Sequence, residues 1–391
     1  MSKKIIIVGN GAAGNAATEE ILNQNGAHEI TIITKEARPV YYRPMLSEYV
    51  SEENLPKRFY LHDLDWYKEN HIILRTSSSV TKILPEAHEV ILDNGDKLHY
   101  DSLILSSGSN NFIPPMPGAN LKNVVSLRTF DDAETIKELA STSKKTVIIG
   151  GGLLGLELGW QLRKLDISVD VVEMMDRLLP RQLDLEASEL FEEKVSKTGI
   201  KVMKGVQTKG IVGVDSAKGV ELSDGTILEA DFVIFSIGVR ADTSLAKEAG
   251  LKIERGVVVD DFMRTSQADI YAAGDCAEHK GVNYAIWPES VDQGKIAGLN
   301  AIGIRSVYEP VIPFNIYQGM NMRLFSIGDV GGNPGIVYDT HKVEDDQHFE
   351  KYFFTDDLLV GGILLDDISK SSKLKKALSN RVRKKDFIDS L

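Results

Sequence analysis

Short apolar runs broken by glycine give this chain its pattern. The first, Ile5 to Val8, leads straight into Gly9-x-Gly11-x-x-Gly14. Such a run suits a strand buried on both faces of a parallel sheet. The small residues Ala12, Ala13, Ala16 and Ala17 then predict a helix start, and Glu29 to Lys35 predicts a second strand ending at Glu36. The pattern begins again at Thr146, where TVII meets Gly150-x-Gly152-x-x-Gly155, and Ser168 to Glu173 predicts another second strand ending in an acid. Asp93 to Asp96 and Ser223 to Thr226 read as hairpin turns, one in each half. Asp101 to Gly108 and Asp231 to Gly238 are matching strand-to-glycine exits, and Thr265 to Asp275 predicts a strand ending in Gly274-Asp275. Between the halves, Pro114, Pro115, Pro117 and Gly118 read as a rigid linker.

The glycines of such a motif serve three physical purposes. They allow a tight turn, close approach of backbone to a pyrophosphate, and close helix–strand packing. The helix start offers free N–H groups and a dipole that favour an anion. Glu36 and Glu173 stand where an acid reaches a ribose hydroxyl. The two halves therefore look like copies of one nucleotide-binding unit, and two units imply two nucleotide ligands.

Composition narrows the class. The 391 residues are 42% hydrophobic and 26% charged, as in ordinary globular proteins, and the length suggests two or three domains. Net charge is −12 and the isoelectric point about 5.3, which argues against nucleic acid or an anionic membrane as main partner. Cys276 is the single cysteine, so no redox pair can form within the chain. No stretch approaches the length of a membrane span, and a cytoplasmic location is expected. The eight histidines show no HxH or HExxH spacing, so no metal is assigned.

The first glycine motif together with Gly274-Asp275 resembles the two FAD signatures of the pyridine-nucleotide-dependent flavoprotein reductases. Arg43-Pro44-x-Leu46-Ser47, Leu127-Arg128-Thr129 and Trp287-Pro288-Glu289-Ser290-Val291-x-Gln293-Gly294 resemble further segments of the rubredoxin and ferredoxin reductases. Nearly the whole chain is covered, and the likeness is strongest to the NADH:rubredoxin oxidoreductases of anaerobic bacteria.

The resemblance implies an α/β fold with two Rossmann-like units and a small C-terminal α+β domain. The FAD domain would comprise residues 1–110 and 237–306, with an inserted NAD domain at 111–236 and the C-terminal domain at 307–391. Implied cofactor-binding positions are Gly9, Gly11, Ala12, Ala13, Gly14, Lys35, Glu36, Arg43, Val80, Ser107, Gly108, Arg128, Gly274 and Asp275. In the second unit they are Gly150, Gly152, Leu153, Leu154, Gly155, Glu173 and Gly238. Glu157 and Trp287 are the implied catalytic positions, the first orienting the nicotinamide and the second lying against the flavin. Where those reductases carry lysine after Leu-Ser, this chain has Glu48. The positive charge expected near the flavin is either missing or supplied elsewhere.

The implied reaction moves a hydride from NADH to FAD and releases the electrons singly to an external acceptor, most simply a rubredoxin-like carrier. Oxygen as acceptor is an alternative, and so is a flavin-bearing interaction protein whose assembly follows its redox state. Glu173 would favour NADH by repelling a 2′-phosphate, while Arg177 could restore some NADPH binding. Glu157 could instead be a solvated helix face. Cys276 next to Asp275 could be activated by a helix N-terminus, but a small buried packing residue is the expected role. The tail 370–385 is basic: Lys370 to Leu391 carries eight basic residues against Asp386 and Asp389. Leu374, Ala377, Leu378 and Val382 fall at helical spacing, which predicts one amphipathic helix. Its basic face would either balance surface charge or dock a small acidic carrier.

Overall fold

The structure, a computed structural model, describes residues 2–24, 26–345 and 348–391. The chain divides into two compact units. The first comprises Met1–Met45, Leu55–Asn110 and Gly238–Val311, and the second Leu46–Asn54, Asn111–Ile237 and Ile312–Leu391.

The first unit is built on a five-stranded parallel sheet in the order Ile270–Ala272, Ser102–Leu105, Lys4–Val8, Glu29–Ile33, Ile73–Arg75. Its central strand is buried from Ile5 to Val8, as expected of an apolar run with helices on both faces. A three-stranded antiparallel sheet, Val80–Leu84, Glu89–Leu92 and Lys97–His99, holds the hairpin expected at Asp93 to Asp96. The helix Ala12–Leu22 packs on Trp287–Ala301 so closely that a Cβ on Gly294 would lie 2.3 Å from the Ala13 carbonyl oxygen.

The second unit repeats the sheet order around its own glycine strand: Lys201–Lys204, Ser168–Glu173, Lys145–Ile149, Phe232–Phe235, Val124–Ser126. Only the last strand differs in origin. It precedes the glycine strand in sequence here, whereas its counterpart Ile270–Ala272 follows. Ala217–Leu222 and Ile227–Glu229 flank the second expected hairpin.

The repeat extends to single hydrogen bonds. Gly9 N donates to Ile33 O at 2.8 Å, and Gly150 N to Val172 O at 2.8 Å. Ser106 N donates to Val8 O at 2.9 Å, and Ser236 N to Ile149 O at 2.8 Å. Gly9 has φ +108° and Gly150 φ +115°, and a Cβ on either would stand 2.1 or 2.2 Å from the carbonyl oxygen of Ser106 or Ser236.

Residues 312–391 carry a five-stranded antiparallel sheet, Phe314–Gly319, Met322–Gly328, Leu358–Leu365, Phe349–Thr355, Asp339–Glu344, with two helices on one face. Leu374, Ala377 and Leu378 on the helix Ser371–Ser379 are buried against Phe325, Phe354 and Leu364. Among the described residues no helix is long and apolar enough to cross a membrane.

Two expectations need correction. The tail is not one helix: Ser371–Ser379 ends before Arg381, whose φ is +50°, and Lys384–Ile388 begins a separate turn. Val382 thus falls between helices, its carbonyl accepting from Leu359 N at 3.0 Å. The strand expected from Thr265 pairs only over Ile270–Ala272, because Asp269 at φ +60° turns the chain just before it.

The glycine turns yield a stability test. Gly9→Ala should lower the urea midpoint by the equivalent of about 3 kcal/mol, combining positive-φ strain with a main-chain clash. Gly95→Ala, also at positive φ (+89°) but facing open space, should cost only about 1 kcal/mol. Equal losses would contradict the close approach at Ser106.

Candidate cofactor site

The helix Ala12–Leu22 begins at Gly11 with no side chain capping it and no acid in its first turn. The helix Leu153–Lys164 begins at Gly152 in the same way. Three other helices carry side-chain caps: Asp63, Thr129 and Asp184 accept from their first-turn N–H groups. The bare ends are where free N–H groups and dipole would receive a pyrophosphate. A Cβ on Gly11 or Gly152 would meet nothing within 4 Å, while the flanking glycines are hemmed in by backbone. Both turns therefore have the shape of a cradle that stays open at one point, and they fit a dinucleotide.

Next to the first cradle, Gly274–Cys276 forms a single tight turn. Asp275 Oδ2 accepts from Ser109 Oγ at 2.7 Å and Oδ1 from Ser290 Oγ at 3.1 Å. Asn283 Nδ2 donates to the Asp275 carbonyl at 2.7 Å, and Gly274 N donates to Gln293 Oε1 at 2.9 Å. Ser109, Asn283 and Ser290 had no role assigned from sequence. Ser109 reaches Asp275 across 166 residues, so no local pattern marks it, whereas Ser290 lies within the Trp287–Gly294 segment. Trp287 opens the helix Trp287–Ala301 and meets the Tyr42 ring edge-on, centroids 4.9 Å apart.

Glu36 holds two neighbours of its own unit. Its Oε2 accepts from the Tyr41 hydroxyl at 2.6 Å, and its Oε1 pairs with Arg43 Nη2 at 2.6 Å. Burial opposes the charge on Arg43, but Tyr41, Glu36 and Asp275 outweigh it, so its pKa stands above the ordinary value. A carboxylate offers about four acceptor sites, which leaves Glu36 room for a ribose hydroxyl. Lys35 is mostly exposed, 3.7 Å from Asp242. Ser107 Oγ donates to the Asp242 carbonyl at 2.8 Å, and Gly108 turns at φ +75°. Val80 is buried in the core of the unit.

In the second unit Glu173 ends its strand beside the glycine turn. Its Oε2 accepts from Gly151 N at 2.7 Å and its Oε1 from Met175 N at 2.8 Å. Leu154 at the start of the glycine helix is exposed and Gly155 buried. Gly238, where the chain leaves this unit, turns at φ +98° with open space beside it. Arg128 precedes the helix Phe130–Thr142, and its N–H donates to Asp132 at 2.9 Å.

Glu157 sits two residues beyond Gly155, in the same unit as Ser47, Glu48 and Tyr317. Its carboxyl is pushed up to about 7, first by burial and then by the Glu48 carboxylate, with the Ser47 hydroxyl opposing. It is not a freely solvated side chain. The Tyr317 hydroxyl is buried without a hydrogen-bond partner among the described residues, and burial and the Glu157 charge raise its pKa. Cys276 is fully buried, with its Sγ 3.3 Å from the Leu105 carbonyl and 3.4 Å from that of Ala273. Burial raises its pKa, so it is the packing residue expected and not an activated thiol.

Two outcomes follow. Gly11→Ala should leave the urea midpoint within about 0.5 kcal/mol but lose FAD on dialysis; full FAD retention would refute the cradle assignment. For Glu157 the folded state keeps its proton longer than the unfolded chain. The stability tied to its neutral form is present below about pH 4.5 and lost as pH rises toward about 7. Glu157→Gln should gain on the wild type by up to about 3 kcal/mol between pH 5 and pH 8, and a pH-independent difference would contradict the burial argument.

Comparison with known proteins agrees with this geometry. Residues 3–294 match the pyridine nucleotide-disulphide oxidoreductase family, and residues 313–382 match the rubredoxin NAD+ reductase C-terminal domain. A nitrite reductase [NAD(P)H] of Bacillus subtilis is 37% identical over 95% of this chain but 46% of its own length, so the chain spans about half of that relative. NADH-rubredoxin oxidoreductase of Clostridium acetobutylicum is 31% identical over 97% of this chain and 95% of its own. The crystal structure of NADH:rubredoxin oxidoreductase from that organism superposes with a TM-score of 0.85, at 29% identity and 100% of both chains. A covalent putidaredoxin reductase–putidaredoxin complex matches with a TM-score of 0.89, at 25% identity, over 97% of this chain and 93% of that one. The chain therefore belongs to the pyridine nucleotide-disulphide oxidoreductase family of NAD(P)H-dependent flavoprotein reductases, whose cofactors are FAD and NAD(H).

Proposed function

We propose that this chain oxidises NADH and passes the electrons through FAD to a small one-electron carrier protein of the rubredoxin kind. The observation that carries the reading is the lone, buried Cys276 in a chain with two dinucleotide cradles. Without a second thiol there is no disulfide relay, so electrons must leave to an acceptor outside the chain. Bound FAD would supply the chemistry, taking up a hydride and returning two electrons.

The chain's own residues position and tune. Gly11 and the bare helix end behind it would hold one pyrophosphate, with Asp275 fixed beside it by Ser109 and Ser290. Gly152 and Glu173 would hold the other dinucleotide by its pyrophosphate and ribose. Trp287, braced by Tyr42, would form one wall of the flavin site. Glu157 keeps a proton near neutral pH and would offer it as a hydrogen bond to the nicotinamide amide. Arg43 is a cation held near Asp275 and would supply the positive charge that Glu48 does not.

The match of residues 313–382 to the rubredoxin reductase C-terminal domain supports a carrier as acceptor. So does the basic tail, although its cations divide in two. Lys370 pairs with Glu350 at 2.8 Å, Lys384 pairs with Asp339, and Lys375 lies 3.3 Å from the Phe314 ring centroid, its pKa lowered by burial. Those three serve the fold, and so does Lys373, which donates to the Ser390 carbonyl. Lys376, Arg381, Arg383 and Lys385 are exposed and would form the docking face. A second reading is favoured by one observation, the 37% identity to about half of a nitrite reductase. In it the chain is the NADH-oxidising part of a larger electron-transfer system.

Stopped-flow mixing tests both. NADH should bleach the anaerobic yellow protein, and oxidised rubredoxin should restore the colour far faster than oxygen does. Changing Lys376, Arg381, Arg383 and Lys385 to Gln should slow the second step about tenfold at low salt, flatten its salt dependence, and leave the first step unchanged. Slow reoxidation by rubredoxin would reject the carrier reading in favour of the second. A wild-type rate in the variant would reject the tail as docking face.

A further inference from the structure

The loop after Glu173 folds back over the second glycine turn. Leu179 N donates to the Gly151 carbonyl at 3.3 Å, and Leu178 is fully buried. This stretch borders the place where a ribose 2′ substituent would sit, and between Glu173 and Leu179 its one cation is Arg177. The sequence suggested that Arg177 could serve NADPH. In the structure its guanidinium is already engaged. Its Nη1 pairs with Asp176 Oδ1 at 3.1 Å, its Nη2 reaches the Pro180 carbonyl at 3.5 Å, and its Nε is buried without a partner. Glu173 is held separately, its carboxylate accepting from Gly151 N and Met175 N.

We propose that Asp176 is a second determinant of dinucleotide choice, because it occupies the one cation of this stretch that could neutralise a 2′-phosphate. The proposal rests on the reading that the second unit binds NAD(H). Asp176 is 68% exposed, and an exposed ion pair contributes little to stability. An incoming 2′-phosphate meets the Glu173 carboxylate and gains Arg177 only if the guanidinium first leaves Asp176. NADH meets no such cost, because its free 2′-hydroxyl needs only an acceptor.

Calorimetric titration of the FAD-loaded protein with NAD+ and with NADP+ tests this without turnover. The set is the wild type, Asp176→Asn, Arg177→Gln and the double variant. Asp176→Asn should tighten NADP+ about tenfold and leave NAD+ within twofold. Arg177→Gln alone should change neither affinity, and in the double variant the NADP+ gain should vanish. Such coupling is what a double-mutant cycle isolates. A gain that survives in the double variant would overturn the proposal, because removal of negative charge alone would explain it. Weaker NADP+ binding in Arg177→Gln alone would overturn it too, because Arg177 would already be reaching the phosphate. An unchanged NADP+ affinity in Asp176→Asn would do the same. Absence of NAD+ binding to the wild type would instead reject the functional reading on which the proposal stands.

Discussion

The structure depends on one close approach of main chain to main chain, made twice. At Gly9 the backbone comes so near the Ser106 carbonyl that no side chain fits, and Gly150 meets Ser236 in the same way. That approach brings the glycine strand, its return strand and the following helix together at one point. It leaves Gly11 and Gly152 as the glycines of the motif that face open space. A strand buried on both sides thus ends in a helix terminus that no side chain caps. The rest of each sheet can be read as support for that geometry.

Around this shared frame the two units differ in the charges they present. The first sets Asp275, Glu36 and Arg43 near one another, with each carboxylate already tied to its own unit by hydroxyls or the guanidinium. The second sets Glu173 on backbone N–H groups and keeps Glu157 close to neutral by burial. The acids that would face a ligand are therefore fixed before it arrives, which lowers the ordering cost of binding. The single thiol stays out of this arrangement, buried against carbonyl groups of the sheet.

Much of the frame was legible in the sequence because it is local. The glycine spacings, the apolar run at Ile5, the strand Ser168 to Glu173 and both hairpin turns depend on neighbours a few residues apart. What was not legible depends on distance or on one backbone angle. Ser109 reaches Asp275 across 166 residues, and Tyr317 comes to Glu157 from the C-terminal sheet. The tail has the spacing of one amphipathic helix, yet Arg381 at φ +50° divides it so that Val382 can pair with Leu359. The pairing of Arg177 with Asp176 was open to view as adjacent charges. That the guanidinium contacts both Asp176 and the Pro180 carbonyl could be seen only with the loop in place.

The central claim is that each glycine cradle holds one dinucleotide by its pyrophosphate. A crystal structure of the FAD-loaded protein with NAD+ tests it most directly. The account predicts FAD phosphates against the N–H groups that follow Gly11, with Asp275 alongside, and NAD+ phosphates against those that follow Gly152. A dinucleotide bound elsewhere, or either helix end left facing water, would contradict it.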